Sequence, residues 1–339
     1  MSIDREPLRI GVLGAGSWGT TLALHLHGLG HRITLWEFRP DAVVRLRHDR
    51  ENKEFLSGIP LPVTMEITSD LKTACTRKDI WLIVLPSHVV RSTVEKMAQF
   101  PLDDAIIVSA TKGIENHTLY RMSEIYREVC PHWSPRKIAA LSGPSLAREV
   151  CNQIPTSVVV ASPALSTAQR AQHAFFSPTL RVYASQDLIG VELAGALKNV
   201  IALAAGICDG LGYGNNTKGA LLTRGLAEIT RLGTALGGKR VTFAGLSGMG
   251  DLITTCNSPY SRNRSVGEQI GKGQKLQDIL SEMVMVAEGV RTSQSAYDLS
   301  RRHNVLMPIT EETYYVLFHD KDPRIAVEHL MMRDLKVED

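Results

Sequence analysis

The chain has 339 residues, enough for about two domains that each bury a core, and its formal net charge of +3 argues against nucleic acid or an anionic membrane as partner. Five widely spaced cysteines without a C-x-x-C pair predict reduced thiols rather than disulfides or a zinc site. No signal peptide or membrane-spanning run is expected, and we therefore predict a cytoplasmic protein.

Strand and helix patterns alternate through the first half of the chain. Helices are predicted at residues 17–29 and 41–48, and a proline-punctuated loop at 57–62. Near-continuous apolar runs predict buried strands at residues 8–13, 32–37, 80–85, 105–109, 138–141, 157–160 and 180–183. This alternation is typical of a doubly wound, mostly parallel sheet.

Helical spacing of apolar residues takes over from about residue 187. Stripes run through residues 193–204, 221–232, 279–285 and 314–318, and no strand is expected among them. The predicted fold class is therefore α/β, with an N-terminal Rossmann-like domain over 1–188 and a C-terminal all-α, substrate-binding domain over 189–339. The apolar helical domain is compatible with a homodimer.

A glycine motif lies between the first predicted strand and helix. Gly14, Gly16 and Gly19 have the G-x-G-x-x-G spacing, which permits a tight turn, a close approach to a pyrophosphate and tight packing of helix on strand. Three glycines in a ligand-free turn are the alternative. The flanking strand and helix patterns favour a dinucleotide.

The end of the second predicted strand bears on the choice of dinucleotide. Glu37 occupies the position where an acidic residue usually binds the adenine-ribose hydroxyls of NAD, whereas Arg39 could meet the 2′-phosphate of NADP. An exposed Glu and Arg at a strand end are the alternative. Because both residues are present, the choice of NAD or NADP stays open, and we expect both to be used.

Polar motifs follow several other strands, at the sheet edge where cofactors and substrates usually bind. Lys112, in T-K-G, is well sited for an anionic substrate or a developing alkoxide, although a surface lysine in a turn would show the same pattern. The S-G-P-S stretch at residues 142–145 opens a predicted helix whose first turn contains Ala147 and whose N–H groups favour anions.

Lys198 lies in a helix that is apolar over most of its surface. Desolvation lowers the pKa of a buried lysine toward neutrality, which suits a general acid or base, whereas a lysine whose amine reaches solvent would have no such role. Asp251, in G-M-G-D-L, is a candidate partner, and Asn199 could orient a ligand.

The S-R-N-R stretch at residues 261–264 combines a hydroxyl, an amide and two guanidiniums at a predicted helix start. Arginine forks and helix N–H donors together suit a phosphate, although a solvated, capped helix start would look the same. The histidines follow no metal-ligand spacing, so no metal site is expected.

Nine motifs in order resemble the bacterial-type NAD(P)-dependent sn-glycerol-3-phosphate dehydrogenase family over residues 9–320. They are G-A-G-S-W-G-T, L-P-S-H, A-T-K-G-I, S-G-P-S, G-A-L-K-N-V-I-A, G-L-G-Y-G-N-N-T, A-L-L-T-R-G-L-A-E, G-D-L-I-T-T-C and S-R-N-R. The resemblance implies reversible reduction of dihydroxyacetone phosphate to sn-glycerol 3-phosphate, a precursor in glycerophospholipid biosynthesis.

The resemblance also implies roles for individual residues, with Lys198 as the catalytic proton donor and acceptor. Substrate contacts are expected from Lys112, Gly143, Ser145, Lys198, Asp251, Ser261, Arg262 and Asn263. Besides the three motif glycines, cofactor contacts are expected from Ser17, Trp18, Phe38, Arg39, Lys112, Ala147, Arg262, Val286 and Glu288. Two other functions stay open: a related two-domain 3-hydroxy acid or hydroxyacyl dehydrogenase, and a non-catalytic dinucleotide sensor.

Overall fold

The computed structural model describes residues 6–102, 104–283, 285–335 and 337–338, and the chain divides into two compact units. The first comprises the chain up to Lys112 together with Tyr120–Glu192, and the second comprises Gly113–Leu119 together with the chain from Leu193. The structure thus groups residues 113–119 with the second unit, although they fall within the predicted first domain. The assignment of one function to each domain stays a prediction.

All strands belong to the first unit. They are β1 (Arg9–Leu13), β2 (Arg32–Trp36), β3 (Glu51–Asn52), β4 (Leu56–Pro60), β5 (Glu66–Thr68), β6 (Ile80–Ile83), β7 (Ile106–Ser109), β8 (Ile138–Ser142), β9 (Thr156–Ala161) and β10 (Leu180–Ser185), as far as the residues are described. The helices of this unit are α1 (Ser17–Gly28), α2 (Pro40–Asp49), α3 (Leu71–Cys75), α4 (Val90–Met97), α5 (Met122–Val129), α6 (Ala147–Cys151) and α7 (Leu165–Phe175).

Eight strands form one sheet in the order β10-β9-β8-β7-β6-β1-β2-β5, and only the β8–β9 pair is antiparallel. Ile10 of β1 pairs with Ile33 of β2 and Ile80 of β6, which sets the register at the centre of the sheet. Every residue of β6, β7 and β8 is buried, so both faces of the sheet are covered there. The predicted doubly wound, mostly parallel sheet is confirmed.

The 57–62 segment was predicted as a loop, and that prediction is wrong for most of it. Residues Leu56–Pro60 form β4, which pairs with β3 in a separate two-stranded sheet. Gly58 at φ +83° and the closing Pro60 gave turn signals that hid this short hairpin. The edge strand β5 was also missed, because only two of its three residues are buried and no apolar run marks it.

The point where the sheet reverses its winding lies beside β1. Strands added after β1 extend the sheet first through β2 to β5 and then, on the other side, through β6, β7 and β8. In open α/β sheets the ligand crevice lies outside the carboxyl ends of the strands at such a point. The glycine motif after β1 and the segment after β6 both begin at this edge.

The regular elements described for the second unit are all helices, as predicted. Its elements are the greater part of α8 (Leu188–Gly210), then α9 (Asn215–Ala235), α10 (Arg240–Phe243), a π-helical turn (Leu246–Gly250), α11 (Asp251–Asn257), α12 (Arg262–Gly271), α13 (Leu276–Glu282), α14 (Glu288–Arg302), α15 (Pro308–Phe318) and α16 (Pro323–Met331). The predicted stripe at 279–285 is only partly helical, since α13 ends at Glu282, and its residue 284 lies outside the described residues.

Helices α8 and α12 approach each other closely enough for their backbones to touch. A Cβ added at Gly206 would lie 2.0 Å from the carbonyl oxygen of Arg264, and one added at Gly267 would lie 2.0 Å from that of Leu203. Glycine is therefore required on both helices at this crossing. The close packing holds the first turn of α12 against the helix that contains Lys198.

Helix α8 is long and apolar enough to span a membrane by length and composition, with a mean hydropathy of 1.7 over its most apolar window. Within the protein, 89% of that window is buried. Burial of this extent is what the core helix of a folded unit shows. The sequence already indicated a helix around Lys198 that is apolar over most of its surface.

Candidate active site

The glycine motif forms the turn between β1 and α1, and its three glycines have different surroundings. Gly14 has φ +115°, and a Cβ there would lie 2.5 Å from the carbonyl oxygen of Val84. A Cβ at Gly19 would lie 1.9 Å from the carbonyl oxygen of Gly14, whereas a Cβ at Gly16 would meet nothing within 4 Å. The turn is therefore tightly packed except at Gly16, where open space in front of the α1 N-terminus fits a dinucleotide pyrophosphate.

Asn52 of β3 braces this turn and was not found from the sequence. Its buried amide donates to the carbonyl oxygen of Ala15 at 2.7 Å and to the hydroxyl of Thr20 at 2.8 Å. No local pattern pairs residue 52 with residue 15, since the contact exists only after the small β3–β4 sheet has formed.

Further predicted cofactor contacts of the first unit lie at the starts of two helices and in the loop after β2. Ser17 and Trp18 begin α1 and are half-buried, while Phe38, just after β2, is 67% exposed. Ala147 begins α6, which contacts α1 through the hydrogen bond from the Cys151 thiol to the Thr21 hydroxyl at 3.3 Å. The structure thus brings the start of α6 beside the helix that follows the glycine motif.

Lys112, Gly143 and Ser145 come together at the carboxyl edge of the sheet. Lys112 Nζ lies 3.5 Å from the Gly143 carbonyl oxygen, which also accepts a hydrogen bond from the Ser145 hydroxyl at 3.0 Å. Gly143 has φ +135°, and a Cβ there would lie 3.0 Å from Val158 Cα. Only glycine suits this position, so Gly143 and Ser145 share one constrained turn, and the amine of Lys112 lies beside it.

Lys198 is buried in the second unit and paired as predicted. Its Nζ donates to Asp251 Oδ1 at 2.7 Å, and the two side chains are only 7% and 3% exposed. The alternative of a lysine whose amine reaches solvent is therefore wrong. Burial of both charges is costly unless each compensates the other, so each residue requires its partner.

Thr255 is a third member of this cluster and was not predicted from the sequence. Its hydroxyl is hydrogen-bonded to Lys198 Nζ and lies 3.3 Å from Asp251 Oδ1. Thr255 follows Asp251 by four residues on α11, a spacing that places two side chains on the same face of a helix. With Asp251 identified as a candidate partner of Lys198, this spacing could have indicated Thr255 from the sequence.

Asn263 connects the surroundings of Lys198 with the start of α14. Its Nδ2 donates to Asn199 Oδ1 at 2.9 Å, and its Oδ1 accepts from the backbone N–H of Gly289 at 2.9 Å. Gly289 follows Glu288, the first residue of α14, and Val286 lies just before that helix. Both ends of the Asn263 amide are thus engaged by the protein, and its predicted contact with substrate stays a prediction.

The two arginines of the S-R-N-R stretch have different surroundings. Ser261 is the N-cap of α12 and accepts a hydrogen bond from the backbone N–H of Arg264 at 3.3 Å. The Arg264 side chain is bound to Asp209 at 2.7 Å, whereas Arg262 is exposed. Desolvation nevertheless lowers the pKa of Arg262, and the charge of Glu288 opposes this effect.

Among the described residues there is no group of three or more His, Cys, Asp or Glu side chains that could hold a metal ion.

A doubly wound sheet with its glycine motif at the switch point is the architecture of a dinucleotide-binding protein. The N-terminal model of the NAD-dependent glycerol-3-phosphate dehydrogenase family matches residues 9–168, and the C-terminal model of the same family matches residues 187–328. The chain belongs to this family, and the resemblance seen in the sequence is confirmed.

Individual relatives agree with this assignment. A glycerol-3-phosphate dehydrogenase (NAD(P)+) of Citrifermentans bemidjiense is 53% identical over 97% of this chain and 98% of its own length, and one of Geobacter sulfurreducens is 52% identical over the same shares. The crystal structure of glycerol-3-phosphate dehydrogenase from Coxiella burnetii matches with a TM-score of 0.92 at 35% identity, over 96% of this chain and 99% of that one. The Plasmodium falciparum glycerol-3-phosphate dehydrogenase, at 22% identity, TM-score 0.86 and coverage of 98% and 97%, shares the fold.

Proposed function

We propose that this protein catalyses the reversible, NAD(P)H-dependent reduction of dihydroxyacetone phosphate to sn-glycerol 3-phosphate. The observation that supports this most directly is the buried Lys198–Asp251 ion pair. The pair fixes the position of an amine that can donate a proton, as the reduction of a carbonyl group requires. A non-catalytic dinucleotide sensor would gain nothing from a buried ion pair of this kind, which costs desolvation free energy.

The residues of the first unit suit a dinucleotide cofactor and an anionic substrate. The Gly16 opening and the N-terminus of α1 would hold the pyrophosphate, and the bound nicotinamide would supply the hydride that reduces the carbonyl carbon. Lys112, beside Gly143, would place a positive charge near the substrate oxygens.

Lys198 acts as the general acid in the direction of reduction. As negative charge develops on the carbonyl oxygen, Nζ donates a proton to that oxygen, and it takes a proton from the alcohol in the reverse direction. Asp251 and Thr255 hold Nζ in place by the hydrogen bonds described above, so the amine needs no reorientation at the moment of transfer.

The start of α12 binds the phosphate in this proposal. The exposed Arg262 guanidinium donates to phosphate oxygens, and the N–H groups of the first turn of α12 add further donors. The phosphate is not changed in the reaction, and its binding orients the carbonyl toward Lys198.

Steady-state kinetics with dihydroxyacetone phosphate, run in parallel with NADH and NADPH, test the proposal. Turnover is expected with this substrate and not with acetoacetyl thioester, which a related hydroxyacyl dehydrogenase would reduce. Absence of turnover with dihydroxyacetone phosphate, while the thioester is reduced, would replace the proposed reaction by the related one.

We further infer a cytoplasmic enzyme whose product supplies glycerophospholipid synthesis, and a homodimer as its assembly. Fractionation of cells followed by activity measurement tests the location. Size-exclusion chromatography with light scattering tests the assembly, and a mass of one chain would exclude the dimer.

A further inference from the structure

A cluster of charges follows β2 in the first unit. The Arg39 guanidinium donates through Nε to Glu37 Oε1 at 2.9 Å, and through Nη1 and Nη2 to the two carboxylate oxygens of Glu54 at 3.1 and 3.2 Å. Glu54 lies in the turn between β3 and β4. Arg39 therefore forms a bidentate ion pair with a residue fifteen positions along the chain, in addition to its bond with Glu37.

The cluster has an excess of negative charge. It contains two carboxylates and one guanidinium, and both carboxylates hold the pKa of Arg39 well above its usual range, Glu54 having the larger effect. The neighbouring Arg45 lies 3.9 Å from Glu54 but is bound more closely to Asp41, at 2.6 Å, so those two charges cancel each other.

The cluster is also held in place. The side chains of Arg39 and Glu54 are only 30% and 33% exposed, and the rings of Phe38 and Phe55 each lie 5.7 Å from the Arg39 guanidinium carbon. A guanidinium bound to two carboxylates and close to two rings has little freedom to turn toward another anion.

The two dinucleotides differ at one group, the 2′-phosphate that NADPH has on its adenine ribose, and Glu37 lies where that ribose is usually bound. To bind this phosphate, Arg39 would have to release Glu54, whose carboxylate would then lie beside a group that has about two negative charges. NADH places no charge there and leaves the ion pair intact.

We propose that Glu54 is a specificity-determining residue, which favours NADH over NADPH by holding the Arg39 guanidinium away from the 2′-phosphate. This inference rests on the proposed nicotinamide dinucleotide cofactor and adds a preference that neither the motif nor the family membership states.

Nucleotide binding to the full-length protein without substrate tests the inference. The Kd values of NADH and NADPH are measured by nucleotide fluorescence for the wild type and for Glu54→Gln, which keeps the size of the side chain and removes its charge. The wild type is expected to bind NADH more tightly. In Glu54→Gln the ratio of Kd(NADPH) to Kd(NADH) is expected to fall about tenfold, through tighter binding of NADPH.

Two further variants separate the local effect from net charge. Asp49→Asn removes the same charge from the far end of α2, where Asp49 is bound to Lys53, and it is expected to leave the ratio unchanged. Adding Arg39→Ala to Glu54→Gln is expected to abolish the gain in NADPH affinity.

If Glu54→Gln still bound both nucleotides with an unchanged ratio of Kd(NADPH) to Kd(NADH), the inference would be overturned, but the proposed function would not be affected. An equal effect of Asp49→Asn would also overturn it, because net charge alone would then explain the shift. If folded wild type bound neither nucleotide, the proposed function would fall together with the inference.

Discussion

The Lys198–Asp251 ion pair allows stability and catalysis to be tested on the same two side chains. Asp251→Asn removes one charge with almost no change in size, and Lys198→Met removes the other while keeping much of the apolar length of the side chain. The double variant Lys198→Met/Asp251→Asn removes both charges. These three variants and the wild type form a double-mutant cycle.

The expected magnitudes follow from the burial and distance of the pair. With Nζ and Oδ1 at 2.7 Å, the attraction is about 6 kcal/mol at an effective dielectric constant of about 20. Each single variant leaves one charge buried without its partner, which destabilises a protein by about 3–5 kcal/mol. The double variant leaves no buried charge, so its unfolding free energy is expected to return to within about 2 kcal/mol of the wild type.

Catalysis is expected not to return with stability. Loss of the general acid lowers kcat by about 10²–10⁴-fold in Lys198→Met, and the double variant stays equally slow because it also has no amine. Urea unfolding followed by circular dichroism gives the free energies, and turnover of dihydroxyacetone phosphate gives kcat. The Kd of NADH is expected to change little, since the glycine motif belongs to the other unit.

Lys218 provides the matched control. It is also a lysine paired with an aspartate in the second unit, Asp209 at 2.7 Å, but its side chain is 20% exposed and it has no role in the proposed reaction. Lys218→Met is expected to leave kcat within about twofold of the wild type. The acid–base assignment would be refuted if Lys198→Met turned over as fast as this control, and the energetic reasoning if the double variant were as unstable as the single ones.

Three further predictions concern other parts of the molecule. Arg262→Ala is expected to raise the KM for dihydroxyacetone phosphate by about 10- to 100-fold, because a charge-assisted hydrogen bond to the phosphate is lost. An unchanged KM would show that Arg262 does not bind the phosphate. Gly16→Ala should keep the wild-type Tm, because its Cβ enters open space, but it should weaken NADH binding, because that space is where the pyrophosphate is proposed to lie. Gly19→Ala should lower Tm, because its Cβ meets a backbone oxygen at 1.9 Å. Similar Tm values for the two variants would contradict this prediction. Burial raises the pKa of Glu228 from an ordinary 4.5 to about 7, so the folded state holds a proton that the unfolded state has released, and unfolding free energy should fall by about 3 kcal/mol as pH rises from 4.5 to 7. Glu228→Gln should remove this slope in urea titrations, and a slope equal to that of the wild type would show that another group causes it.

The glycine motif, the buried strands and the buried lysine were predictable because each depends on local physical chemistry. A strand covered on both faces needs a continuous apolar run, as in Ile80–Ile83, and a dinucleotide turn needs glycine at fixed spacing. The family motifs extended this local signal to nearly the whole chain. The fold class and family therefore followed from the sequence alone.

Short edge elements were less predictable, because their stability comes from neighbours rather than from their own pattern. Strand β5 adds only three residues to the sheet edge, and β4 contains both a glycine and a proline. Tertiary context decided that these segments pair, since a strand at an edge needs only one partner.

The sequence by itself determined which residue types the site contains, and the tertiary structure decided which of them touch. The sequence offered Lys198 and Asp251 as candidates for a pair, and folding joined them and added Thr255. Likewise Arg39 stood beside Glu37 in the sequence, but only the turn between β3 and β4 brings Glu54 onto its guanidinium. Contacts between distant residues depend on how helices and strands pack, and that packing is set by burial over the whole unit rather than by any local motif.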